Sequence, residues 1–176
     1  MPFGRGKRFL TAAPKTVDWI AGGWQLNNIA TFLTGLPFTP TVQTNTLNVG
    51  GGSQFPIRLS SGVLSSGERS IDRWFDAGAF TTPAQFAYGN SGRIILYGPG
   101  TRQLDFSLFK SFAIGEKGDR RLQFRAEAFN TFNTPQFNNP NASIGFAGVA
   151  KITSAGTPTV FQRTSRQIQL ALKLYF

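Results

Sequence analysis

The stretch Arg166-Gln-Ile-Gln-Leu-Ala-Leu-Lys-Leu-Tyr-Phe176 decides the fold class. Successive side chains of an extended chain point to opposite faces. Ile168, Leu170, Leu172, Leu174 and Phe176 therefore share one face, and Gln167, Gln169, Ala171, Lys173 and Tyr175 the other. A strand of a soluble protein is usually ~5–6 residues long, whereas a barrel strand crossing a bilayer needs ~9–11. Strict alternation of this length points to a transmembrane β-strand.

The same period appears upstream. Leu122, Phe124, Ala126 and Ala128 alternate with Arg121, Gln123, Arg125 and Glu127, and Leu104, Phe106 and Leu108 alternate with Asp105 and Ser107. Gly115-Glu-Lys-Gly-Asp119 between them is a compact turn signal. Folding a hairpin about Lys117 pairs Phe106 with Ala128, Leu108 with Ala126 and Phe112 with Leu122 on one face, and Ser107 with Glu127 and Ser111 with Gln123 on the other. A slip of one residue would destroy both faces. Lys110 falls on the apolar face and Phe109 on the polar one; near the turn end, the Lys110 stem is expected to snorkel to headgroups. A further strand covers Trp24 to Gly35, with Trp24, Leu26, Ala30 and Phe32 on one face, Asn28 as an exception, and Ile29 and Leu33 opposite.

These runs predict an all-β chain whose antiparallel strands, at about 20–35, 103–114, 120–131 and 164–176, form the C-terminal part of a transmembrane outer-membrane β-barrel. The connections alternate in length: 36–101 and 132–163 are long and rich in Gly, Pro, Ser, Thr and Asn, while 115–119 is short. Outer-membrane barrels have short periplasmic turns and long extracellular loops. With Phe176 at the periplasmic side, both long segments become extracellular, and Gly115–Asp119 and the basic Gly4–Lys15 segment become periplasmic turns.

Composition agrees. The 176 residues include 18 Phe, 20 Gly and 10 Pro, with 15% charged residues, which suits strands and loops. The chain has no His and no Cys, so the commonest bases, thiol nucleophiles and transition-metal ligands are missing. No catalytic residue, metal ligand or cofactor is expected. The net charge of +10 comes from scattered Lys and Arg, clustered only at Arg5-Gly-Lys-Arg8. No apolar run reaches the ~20 residues of a membrane helix. No apolar h-region follows the basic N-terminus either, so targeting and the rest of the barrel are expected upstream.

Several motifs, in order, carry a resemblance. They are Pro2-Phe-Gly-Arg-Gly-Lys-Arg-Phe9, Gly22-Gly-Trp-Gln-Leu26, Thr34-Gly-Leu-Pro-Phe38, Trp74-Phe75 with Ala79-Phe80, and Gly89-Asn-Ser-Gly-Arg93 with Gly98-Pro-Gly100. Asp105-Phe-Ser-Leu-Phe-Lys110, Leu122-Gln-Phe-Arg-Ala-Glu127, Phe129-Asn-Thr-Phe-Asn133 and the closing strand complete the series. Together they resemble the C-terminal portion of TonB-dependent transporters with an Oar-like barrel. Thr134 stands where that family usually has His, and Ile94 where it often has Asn. The resemblance implies a barrel of about 22 strands around a plug, energised uptake of an unknown substrate in the outer membrane of a Gram-negative cell, and contact with the TonB system through a plug region upstream. It also implies that the barrel-assembly machinery reads Ile168, Leu170, Leu172, Leu174 and Phe176 as its signal.

On this register Asp105, Arg121, Arg125, Glu127 and Lys173 face the lumen, where they line a transport path, touch the plug or stabilise the wall as a hydrogen-bonded ladder. Trp24, Phe112, Phe124 and Tyr175, with Trp19, make a periplasmic-side aromatic girdle at the headgroups. The expected partners are outer-membrane lipid and lipopolysaccharide, with no nucleic acid. Two other functions fit parts of the composition: a basic nucleic-acid-binding β protein, and a surface adhesin or carbohydrate-binding β-sandwich. Gly89–Arg93 lacks the Lys-Ser/Thr of a phosphate loop and reads as a tight structural loop; Glu68, Asp72 and Asp76, interleaved with Arg69 and Arg73, read as a solvated charged loop. Four strands cannot close where the smallest outer-membrane barrels use ~8, so the chain alone is expected to aggregate and to transport nothing.

Overall fold

The computed structural model describes residues 8, 14–50, 52–114, 120–156 and 164–176. In chain order these form a helix α1 (Lys15–Ala21) and the strands β1 (Trp24–Leu33), β2 (Pro37–Phe38), β3 (Thr41–Val42), β4 (Ile57–Arg58), β5 (Phe80–Thr81), β6 (Leu96–Tyr97), β7 (Thr101–Ile114), β8 (Arg120–Phe129), β9 (Ser143–Ile144) and β10 (Gln167–Tyr175). They fall into two compact units. One draws on Met1–Thr31, Arg102–Thr134 and Arg163–Phe176, the other on Phe32–Thr101 and Pro135–Gln162.

The long strands make one sheet in the order β1-β7-β8-β10, a meander in which neighbours in the sheet are successive long strands of the chain. The β7–β8 pair is antiparallel, with Phe106 opposite Ala128, Leu108 opposite Ala126, Lys110 opposite Phe124 and Phe112 opposite Leu122, the register that folding about Lys117 generates. The Gly115–Asp119 turn itself, like Pro2–Arg5 and most of the basic Gly4–Lys15 segment, lies outside the described residues. β10 adds antiparallel to β8, setting Ile168, Leu170, Leu172 and Leu174 opposite Ala128, Ala126, Phe124 and Leu122. One face of the three strands is thus apolar along the paired stretch, except at Lys110 and at Arg120, which pairs with Ile114.

Among the described residues nothing covers that face at β10, where Ile168, Leu170, Leu172 and Leu174 remain 56–69% exposed. Full burial of each such side chain contributes ~1.5–3 kcal/mol. Left open to water, the four together forgo roughly 4–8 kcal/mol, which rivals the ~5–15 kcal/mol net stability of a domain. A lipid surround removes this penalty.

The second unit has a core of its own, although periodicity gave the long segments no structure. Phe38, Phe75, Ala79, Phe80, Leu96, Ile144 and Ala150 are buried together, with the Phe75 ring 5.7 Å from Phe38 and 6.1 Å from Phe80. Short pairings hold it: β2 with β6 and β4 with β5 antiparallel, and β3 with β9 parallel. The last ties the first long segment to the second.

Two elements depart from the sequence expectation. The first strand begins at Trp24 rather than near residue 20, because Lys15–Ala21 is helical. Pro14 precedes that helix with φ −53°, a value already suited to a helix start, and the Gly22 N–H closes its last turn on the Asp18 carbonyl at 2.7 Å. Gly23 then takes φ +69° and lies against Ser111, whose N–H donates to the Gly23 carbonyl at 2.9 Å; a Cβ at Gly23 would collide with the Ser111 carbonyl oxygen.

Candidate functional site

The sheet offers two chemically distinct faces, and each named residue belongs to one of them. Asp105, Arg121, Arg125, Glu127 and Lys173 share the face opposite Phe106 and Leu108, since Arg125 pairs with Phe109 and Ala171, Glu127 with Ser107 and Gln169, and Lys173 with Gln123. Gln123 organises the middle of this face. Its Oε1 accepts from Arg125 Nε at 2.8 Å and from the Tyr175 hydroxyl at 3.2 Å, and its Nε2 donates to Ser111 Oγ at 3.2 Å. The Arg125 guanidinium also lies 4.6 Å from the Phe109 ring centre. Phe109, the aromatic exception on this face, is therefore a platform for a cation.

Tyr175 belongs here as well. The expected girdle grouped it with Trp24, Phe112 and Phe124, but its register partner is Arg121, whose guanidinium stands 5.3 Å from the Tyr175 ring centre. Period-two geometry puts Tyr175 on the opposite face from Phe124 and Phe112, which pair with Leu172 and Leu122.

At the far end of the strands the Phe129-Asn-Thr-Phe-Asn133 motif forms a corner. Asn130 and Asn133 have φ +50° and +53°, a left-handed conformation that Asn tolerates better than most residues. The Asn130 N–H donates to Asp105 Oδ1 at 2.8 Å, and its buried side chain closes both ways on the Thr134 backbone at 3.0 Å. Gln103 Nε2 donates to the same carboxylate at 3.0 and 3.1 Å. The Thr131 N–H donates to the Leu104 carbonyl at 2.8 Å, and the Arg166 N–H to Asn133 Oδ1 at 3.0 Å. One motif thus ties the ends of β7, β8 and β10 together. Asp105 acts within this corner as a backbone acceptor, a role that alternation could not show.

On the apolar face Lys110 is only 4% exposed. It does not reach outward to headgroups. Its Nζ donates to the Ile20 carbonyl at 2.9 Å and to the Gly22 carbonyl, at the end of α1. The rings of Trp24 and Phe112 lie 5.0 and 5.2 Å from the ammonium. Trp24 Nε1 donates to the Ile20 carbonyl at 2.8 Å, and Trp19 packs on Phe112 with ring centres 5.0 Å apart. The exception to alternation is thus an anchor for α1, which sequence period could not reveal because the helix lies 88 to 90 residues away in the chain.

The Gly-rich and charged loop motifs are structural. Gly89 sits where a Cβ would collide with the Phe55 and Pro56 carbonyl oxygens, the Ser91 N–H donates to the Pro56 carbonyl at 3.0 Å, and Asn90 Oδ1 accepts from the Arg58 N–H at 2.7 Å. Asp76 caps a 3₁₀ turn at Ala77–Ala79 and pairs with Arg73 at 3.4 Å, while Asp72 pairs with Lys151 at 3.7 Å. Glu68 accepts from the Ser65 hydroxyl at 2.7 Å and N–H at 3.1 Å, which lowers its pKa below the ordinary carboxylate value. Among the described residues no three His, Cys, Asp or Glu gather as metal ligands.

An antiparallel meander with one uncovered apolar face, one hydrogen-bonded polar face and long connections defines a membrane β-barrel wall. The comparisons agree: residues 1–169 match the model of the outer membrane beta barrel domain. The chain belongs to that family, and its location is the outer membrane. No curated protein and no solved structure matches it. The sheet is not closed among the described residues, where β1 and β10 are its two edges.

Proposed function

We propose that this chain is the C-terminal part of a TonB-dependent transporter barrel, completed by strands and a plug supplied upstream. The observation that carries this reading is the polar face of β7, β8 and β10, where Arg125, Gln123, Ser111 and Tyr175 form a connected ladder on the side opposite the apolar band. A wide barrel around a plug needs such a polar interior. The order of the motifs from Gly22-Gly-Trp24 to the closing strand supports the transporter family in particular, and the folded core of the long segments suits extracellular loops that present a fixed surface. Among the described residues β1 and β10 are the outer strands of the sheet, which supports completion by other strands, because backbone groups left unmet in hydrocarbon cost several kcal/mol each.

In this reading the lumen residues Arg121, Arg125, Glu127 and Lys173 meet the plug or the passing substrate. Ile168 to Phe176 engage the barrel-assembly machinery, and the outer face meets lipid and lipopolysaccharide. The chain carries out no chemical step and binds no nucleic acid. A photo-crosslinking residue in place of Glu127, introduced in the intact outer-membrane protein, tests it. Crosslinks to a plug segment of the same polypeptide are expected, and crosslinks to lipid alone would overturn the reading.

A further inference from the structure

α1 turns the smooth apolar face of the sheet into a groove of about 440 Å³, within the ~300–1,000 Å³ typical of ligand sites. Trp19 and Ile20 of α1 form one wall, and Trp24, Phe112, Phe124 and Leu172, one from each long strand, form the floor. Lys110 is the charged group in the lining, but its ammonium is turned to the Ile20 and Gly22 carbonyls and faced by two rings. Trp19 and Ile20 are 62% and 67% exposed at the rim.

We propose that this groove holds one acyl chain of a phospholipid, with α1 lying at headgroup level in the same leaflet. The inference rests on the reading of this face as the lipid side of the barrel wall. The occupant follows from continuity: Leu172 lines the groove and also belongs to the band of Ile168, Leu170 and Leu174, so hydrocarbon that wets the band enters the groove without crossing a polar rim. A peptide would instead bring backbone N–H and C=O groups into a carbon-lined space, where each unmet group is costly. Exposed Trp and Ile on a short helix suit the interfacial zone, where indole rings accumulate.

The tryptophans supply the assay, since two of the three in the chain, Trp19 and Trp24, line the groove. The intact outer-membrane protein in detergent micelles, with Trp74 and any tryptophan outside residues 1–176 replaced by Phe, is titrated with a phosphatidylethanolamine brominated on its acyl chains. The expected result is quenching of Trp19 and Trp24 that saturates near one lipid per chain. Filling the groove with Leu172→Phe should raise the lipid needed several-fold, and Leu170→Phe, on the band outside it, should not. Quenching that simply follows the lipid-to-detergent ratio and ignores Leu172→Phe would overturn the groove and leave the barrel wall intact. If the lipid quenches Trp74 in a Trp19→Phe/Trp24→Phe variant yet leaves Trp19 and Trp24 unquenched in the Trp74→Phe variant, the assignment of this face to lipid fails as well.

Discussion

Replacing Lys110 by Met keeps the stem and removes the ammonium, so it separates two opposing effects on the apolar face. The Ile20 carbonyl keeps a partner in Trp24 Nε1, but the Gly22 carbonyl loses the Lys110 donor. An unmet buried acceptor costs about 1–3 kcal/mol, and loss of the attraction to the Trp24 and Phe112 rings costs about 1–2 kcal/mol more. Against this, a lysine on the lipid face of a barrel costs about 2–4 kcal/mol at the bilayer midplane but only about 0–1 kcal/mol near an interface. Lys110 lies beside α1 and its exposed Trp19, which places it at an interface, so the losses win. Lys110→Met should therefore destabilise by about 1–5 kcal/mol. Guanidinium unfolding of the protein in lipid vesicles, followed by tryptophan fluorescence, gives the value. A variant stabilised by 2 kcal/mol or more would mean that Lys110 is an uncompensated charge deep in hydrocarbon, and would refute its role as the anchor of α1.

Other perturbations follow from the same geometry. Gly23→Ala puts a side chain at φ +69° and against the Ser111 carbonyl, and should cost about 1–3 kcal/mol in the same unfolding measurement. Phe75→Ala empties the centre of the loop unit, where Phe75 is 2% exposed. It should cost about 3–5 kcal/mol, seen as earlier unfolding of the Trp74 signal. Ser65→Ala removes the hydroxyl that holds Glu68 below the ordinary carboxylate range, so the Glu68 titration should move up by carbon-detected NMR. Because the folded-state pKa is the lower one, the turn's stabilisation is full above the unfolded pKa and is lost as pH falls through the folded value. Deleting Phe176 should reduce the amount of assembled barrel, measured as heat-modifiable protein in outer-membrane fractions.

Strands and register were legible because a buried or lipid-facing surface enforces period two over many residues. Phe106–Ala128 and Phe112–Leu122 follow from the sequence alone, and β10 carries its own pattern. What the sequence withheld lies where contact is non-local or aperiodic. α1 forms over only seven residues, too few to show a helical period, and is held by Lys110 from far along the chain. The loop core is made by single residues such as Phe38, Phe75 and Ile144, separated by Gly and Pro, so no window reports it. Asp105 looks like a lumenal charge by alternation, yet it is spent on the Asn130 N–H and on Gln103. Tyr175 illustrates the opposite failure. Its parity was plain in the strand, and grouping it with the girdle by residue type set that parity aside.

β7, β8 and β10 form a wall with lipid on one side and water on the other. The chain has no cysteine, so single cysteines at Leu170, Ala171, Leu172 and Lys173, and at Ala126 and Glu127, can each carry a spin label in the membrane-embedded protein. Labels at 126, 170 and 172 should be accessible to oxygen, and labels at 127, 171 and 173 to a water-soluble nickel complex. Equal access of the nickel complex to all six positions would contradict a two-sided wall.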